Sequence, residues 1–109
     1  MPNLTTIQPI LDRFKKSAQD IYGDRLVKVL LYGSYARGEQ HEDSDIDLMV
    51  VLKDEGFDKK RDDKLLNHVS FDFLYNDGEL VMPLVLSEKR FETDNSPILY
   101  FARKDLIEL

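Results

Sequence analysis

A pair of aspartates and a glycine–serine pair are the residues of this chain whose types and spacing could do chemistry. The aspartates lie in Asp43-Ser44-Asp45-Ile46-Asp47-Leu48, and the other pair in Leu31-Tyr32-Gly33-Ser34-Tyr35-Ala36-Arg37-Gly38. Asp45 and Asp47 open an apolar run that continues to Leu52. Side chains of a strand alternate with a period of two, so both carboxylates should project from one face, roughly 6.5–7 Å apart along the chain. Like charges on one face repel, and Arg37 is one candidate to neutralise them. A divalent cation between them would remove that cost, because hard cations favour oxygen ligands. Two such ions about 3.5–4 Å apart could activate an attacking oxygen and stabilise a leaving pyrophosphate.

The glycine–serine pair supplies the complementary part. A glycine ending a strand lets backbone approach a ligand with no side chain in the way. If Ser34 opens a helical turn, its hydroxyl and the following N–H groups point beyond the strand end, an arrangement that holds anionic phosphates. Taken singly, Gly-Ser is usually a turn and Asp-x-Asp usually a solvated loop; together they describe a triphosphate–metal site. Other phosphate and cation motifs fail on the letters. A P-loop needs lysine after its second glycine, whereas Gly38 is followed by Glu39. A calcium loop beginning at Asp43 needs glycine where Leu48 stands.

The elements that must position these residues follow from periodicity and breakers. Ile7, Ile10, Leu11, Phe14, Ala18 and Ile21 predict a helix over Thr6–Tyr22, with Pro9 in its first turn and Gly23 as its stop. A Val/Leu-rich strand is predicted over Leu26–Tyr32, a helical turn over Ser34–Arg37 and a polar loop over Gly38–Ser44. Ile46–Leu52 is apolar on both faces and belongs inside a sheet. Lys53–Lys60 is a surface connection, and Lys60–Tyr75 a second long helix with Leu65, Leu66, Val69 and Phe73 turned inward. Glu79–Leu86 is a third strand, in which Pro83 points to an edge or a bulge. Ser96 and Pro97 cap a helix running to about Arg103, and Leu106–Leu109 adds a short last strand. The sum is an α+β fold, a mixed sheet with helices mainly on one face.

Composition narrows the function. At 109 residues the chain is a single domain, 1–109, and its apolar runs are far too short to span a bilayer. No signal peptide is visible, which predicts a cytoplasmic protein. Zero cysteines exclude disulfides, zinc ribbons and thiol catalysis. A net charge of −6 argues against direct nucleic-acid binding, which relies on many Lys/Arg–phosphate contacts. It leaves room for a small polyphosphate, because bound metal can reverse the local field.

Gly33-Ser34, ten intervening residues and Asp45-Ile46-Asp47 resemble the signature of the polymerase β-like nucleotidyltransferase superfamily. The fuller string GSYARGEQHEDSDIDLMV is similar to its minimal branch, the small prokaryotic MNT proteins. The resemblance implies an active site on the open face of a mixed sheet and transfer of a nucleotide, commonly AMP from ATP, dependent on Mg²⁺ or Mn²⁺. It implies Asp45 and Asp47 as catalytic metal ligands, Gly33 and Ser34 as the grip on the triphosphate, and Arg37 and Ser44 as neighbours. The family usually carries a third carboxylate on a later strand. Here Glu79 is the best candidate and Asp77 the next, although Glu79-Leu80-Val81-Met82-Pro83-Leu84 has no acid in its middle.

Larger members resemble this domain plus a helical acceptor domain, and the chain ends straight after its last predicted strand. The minimal branch is similar to the antitoxin half of a pair whose other half is an all-helical HEPN protein, in some pairs modified with AMP. The competing reading is a binding module that neutralises such a partner by contact; a stand-alone aminoglycoside-type enzyme is more distant. Met49 and Val51 share the face of the two aspartates and should be partly open, as an adenine pocket or a protein interface, unless they are core. His41 and His68 read as surface or structural positions, Lys59-Lys60-Arg61-Asp62-Asp63 as a solvated helix start, and Tyr100 and Phe101 as core cover.

Overall fold

The computed structural model describes residues 4–40 and 44–109. Ile7, Ile10, Leu11, Phe14, Ala18 and Tyr22 form the buried stripe of helix α1, Leu4–Tyr22. The helix starts two residues earlier than predicted, which moves Pro9 into its second turn. An interior proline costs about 3 kcal/mol. The stripe around it, in which each buried aliphatic or aromatic side chain contributes about 1.5–3 kcal/mol, outweighs that loss. A short 3₁₀ turn, Gly23–Arg25, leads into strand β1, Leu26–Tyr32, followed by the one-turn helix α2, Ser34–Arg37. Strand β2, Ile46–Leu52, runs antiparallel to β1 with Leu31 opposite Leu48 and Tyr32 opposite Asp47.

Helix α3 spans Lys59–Asp77, begun by the Asp58 side chain accepting from the Arg61 N–H and ended at Gly78 in the left-handed region. Leu66 and Phe73 are buried as predicted and Val69 packs against the same core, but Leu65 is exposed, since it flanks that stripe. Strand β3 is Val81–Ser87, later than the predicted Glu79–Leu86, and pairs parallel with β2. Helix α4, Glu88–Thr93, was not predicted, because Phe91 is its one apolar residue. Helix α5, Pro97–Ala102, follows the predicted Ser96-Pro97 start, and β4, Ile107–Glu108, completes the sheet.

The sheet order is β3-β2-β1-β4, which puts β3 with Pro83 at an edge. On one face, α1 and α3 pack over Val29, Leu31, Ile46, Leu48, Val50 and Leu52. The other face is not open above the middle of the sheet. Leu30, Met49, Val51 and Leu86 are covered there by Leu99 and Ala102 of α5, with Phe91 of α4 and Leu106 packed alongside. Met49 and Val51 are therefore fully buried core residues, the second of the two readings the sequence left open, and not a partly open patch. Tyr100 and Phe101 are corrected in the opposite sense: they lie on the outer side of α5 and are 54% and 63% exposed. Among the described residues no helix is long and apolar enough to cross a membrane.

Candidate functional site

Gly33 makes the corner between β1 and α2, and its backbone lies at φ 79°, ψ −155°, a region essentially confined to glycine. A Cβ built there would stand 3.1 Å from Cγ and 3.2 Å from Cβ of Asp47, and closer still to Oδ2. Glycine is thus required twice, by its dihedrals and by the carboxylate packed against it. Ile46 and Leu48 point into the core under α1 and α3, so the alternation of β2 turns Asp47 to the other face, at the uncovered end of the sheet. Asp45 stands just before β2, where the N–H of Ile46 donates to the carbonyl of Leu80 at 2.9 Å and fixes the segment.

Three groups set the electrostatics. The Asp47 carboxyl titrates above its ordinary value, because it is half-buried and because Asp45 is close enough to repel its charge; Arg37 partly offsets both. Arg37 is itself tied to Glu39 at 3.0 Å. Tyr32, opposite Asp47 in the ladder, has its phenol pushed up to about 12 by burial and by that carboxylate. Ser34, Arg37 and Asp47 line one cavity of about 500 Å³ together with Tyr32, Gly33 and one side of α5. Ser34 is the first residue of α2, and the N–H groups that open a helix have no intrahelical acceptor. Ser44 is half-buried directly before Asp45.

The acids proposed to complete the site are elsewhere. Glu79 precedes β3 rather than starting it, and its charge acts on the buried Tyr35 phenol of the α1–α3 core, whereas Asp45 and Arg37 are the charges that act on Asp47. Asp77 is bound by Arg13 at 2.8 Å, between α3 and α1. The residue beside Asp47 on β3 is Met82, with Leu84 next on the same face. The structure brings together Gly33, Ser34, Arg37, Asp45 and Asp47, without Glu79 or Asp77. His41 lies outside the described residues, and His68 is an exposed partner of Asp72 at 3.3 Å.

Two carboxylates are a donor set that fits a magnesium-like ion. Among the described residues no group of three or more His, Cys, Asp or Glu side chains could enclose a metal. Asp45 and Asp47 would hold such a cation by their carboxylates, and it would supply positive charge beside a bound phosphate. Magnesium is usually held in that manner, by one or two carboxylates and substrate phosphates. One charged residue escaped the sequence reading. Asp62 is not part of a solvated helix start but is fully buried, held by Arg25 at 2.9 Å. Its spacing of four residues before Leu66 was the available signal, since it places Asp62 on the buried stripe of α3.

The corner thus joins a glycine-only turn, a hydroxyl, a guanidinium and a half-buried carboxylate, and the sequence comparison shows the family of the chain. The nucleotidyltransferase domain family matches residues 11–103, and the chain belongs to that family. MJ1305 of Methanocaldococcus jannaschii, provisionally named a protein adenylyltransferase, is 37% identical over 82 residues, which cover 73% of this chain and 54% of that protein. The protein adenylyltransferase MntA of Thermococcus cleftensis is 44% identical over 54 residues, covering 50% of this chain and 52% of its own length. The chain thus spans about half the length of these curated relatives. A crystal structure of a toxin–antitoxin with AMP-PNP superposes with a TM-score of 0.60 at 21% identity, covering 89% of this chain and 69% of that one. A mutant of the toxin–antitoxin MntA-HpeT gives 0.61 at 19% identity, with the same coverage. These neighbours show the fold, and the resemblance read from Gly33-Ser34 and Asp45-Ile46-Asp47 holds for family and architecture.

Proposed function

We propose that the protein binds a nucleoside triphosphate in the cavity at Gly33 and transfers its nucleoside monophosphate, AMP from ATP, to a hydroxyl of a protein or small-molecule acceptor. The observation that carries this reading is the packing of the Asp47 carboxylate against Gly33, in one cavity with Ser34 and Arg37. In this reading Asp45 and Asp47 hold Mg²⁺ or Mn²⁺, which would neutralise charge on the phosphates and on the leaving pyrophosphate. Ser34 and the opening amides of α2 grip the phosphates, with Arg37 and Ser44 as their neighbours. The acceptor hydroxyl oxygen bonds to the α-phosphorus and yields its proton to solvent, the bond to the α–β bridging oxygen breaks, and pyrophosphate leaves.

A protein acceptor is favoured by the relatives named protein adenylyltransferases and by the toxin–antitoxin neighbours. We place the protein in the cytoplasm, as the antitoxin half of such a pair, acting on an all-helical HEPN-type partner. Transfer of label from α-labelled ATP to the protein encoded beside it tests the reading. Labelled partner is the expected result, and no label with either Mg²⁺ or Mn²⁺ would overturn it.

The placement of Met82 beside Asp47, where an acid would complete the site, favours a second reading. Here the domain neutralises its partner by contact, with or without bound nucleotide. Asn at both 45 and 47 separates the two. Neutralisation that survives the double substitution supports contact; its loss with folding and partner binding intact supports transfer.

A further inference from the structure

We propose that helix α5 is the nucleobase wall of this cavity, with the exposed ring of Phe101 stacking on the base and Ile98 beside it. The inference rests on the reading that the cavity holds a nucleoside triphosphate. Helix α5 has two sides with different fates. Leu99 and Ala102 seal the sheet over Met49 and Val51, so no base can lie there. Ile98 and Phe101, three residues apart, stay 51% and 63% exposed and line the same cavity as Gly33, Ser34 and Asp47, which the buried Ala102 also borders. Residues three and four apart share a helix face, so Pro97, Ile98 and Phe101 present one continuous apolar wall.

The cavity therefore pairs the two chemistries of a nucleotide. Of its lining, Ser34, Arg37 and Asp47 offer hydroxyl, cation and carboxylate, and α5 offers carbon. Its volume of about 500 Å³ suits a ligand of that size. Phe101 is held without core packing: Tyr100 meets it edge to face at 5.3 Å and Lys104 Nζ stands 5.4 Å from its centroid. A ring presented in this way offers a flat surface to another ring. The wall carries no side-chain donor or acceptor, so it recognises the face of a base and not its hydrogen-bonding edge.

Calorimetric titration of the chain with Mg·ATP, Mg·GTP and magnesium with inorganic triphosphate tests the assignment. Phe101→Ala should weaken ATP and GTP alike, by about tenfold, the size typical of one lost stacking partner. Triphosphate binding should not change, and Phe101→Tyr should restore most of the nucleotide affinity. Phe71→Ala, at a 62% exposed position on α3 outside the cavity, should leave all three ligands unaffected. ATP binding by Phe101→Ala at wild-type strength would overturn the proposal, as would an equal loss of triphosphate binding. Wild-type protein that binds triphosphate as tightly as ATP would sink the base wall while leaving the phosphate site standing. Binding of neither ligand would sink the functional reading and the wall with it.

Discussion

Two aspartates flank the paired strands β1 and β2 at opposite ends, and the protein treats them in opposite ways. Asp62 is fully buried beside the start of β1. Arg25 meets it through two nitrogens at 2.9 and 3.2 Å, the Asp58 N–H donates at 3.0 Å, and Arg61 adds a contact at 3.4 Å. Burial alone would raise its pKa. The hydrogen bonds from Arg25, the Asp58 amide and Arg61 more than reverse this and hold the carboxyl at about 2. Tyr22 donates to the Asp62 carbonyl at 2.6 Å and is pushed well above the ordinary phenol range by burial and by that carboxylate. At the other end Asp47 is raised by burial and by Asp45, and Arg37, shared with Glu39, does not cancel the effect. One carboxylate is satisfied by the protein. The other is held at a cost that a bound cation would remove, as the proposed function requires.

Neutral isosteres break the comparison most directly. Asp47→Asn should reduce nucleotide transfer by about 10³-fold, the scale of losing a group that stabilises transition-state charge. Its melting temperature should hold or rise slightly, since a repelled charge is removed; calorimetry and the labelled-ATP assay read the two effects. Asp62→Asn should do the reverse. It leaves Arg25, only 29% exposed, without its counter-ion, and should cost about 3 kcal/mol. That corresponds to a fall of roughly 10–20 °C in melting temperature for a domain of this size, with transfer by the remaining folded protein unchanged. Gly33→Ala lies between them. A side chain at this φ costs about 1–3 kcal/mol and must displace Asp47, so stability and transfer should both fall, each less than in the respective Asn variant. A Gly33→Ala protein with full activity would show that the close approach of Asp47 has no functional meaning.

The corner was legible from the letters because its signals are local. A glycine ends a run of Val and Leu, and two aspartates open the next apolar run, so alternation alone puts Asp47 on the face away from the core. The stripe of α1 and the Ser96-Pro97 start of α5 are local too. What remained hidden depends on distant partners. Asp62 sits at buried-stripe spacing from Leu66, but the partner that lets its charge be buried, Arg25, lies 37 residues earlier. Met49 and Val51 would be open were it not for α5, fifty residues later in the chain, and Phe101 is exposed because Leu99 and Ala102 already fill the space over the sheet. Helix α4 has too few apolar residues for any periodicity, and its ends are set by Ser87 and by contact with the sheet.

Acid titration gives the finest resolution of the two carboxylates, because their signs differ. Asp62 has a folded pKa of about 2 against roughly 3.9 in an unfolded chain. Its contribution is complete above the unfolded value and is lost as pH falls from about 4 towards 2, about 2 kcal/mol in all. Asp47 is shifted upwards, so the folded state takes its proton before the unfolded state does. Its penalty is therefore relieved as pH falls from its raised folded value to the ordinary carboxylate range, before the Asp62 loss begins. Urea unfolding of the wild type across this range should show a small gain in stability followed by a larger loss. Asp47→Asn should erase the gain and leave the acid limb, whereas Asp62→Asn should flatten the limb and keep the gain. A gain that persists in Asp47→Asn would assign it to another carboxylate and remove the evidence that Asp47 is held under repulsion.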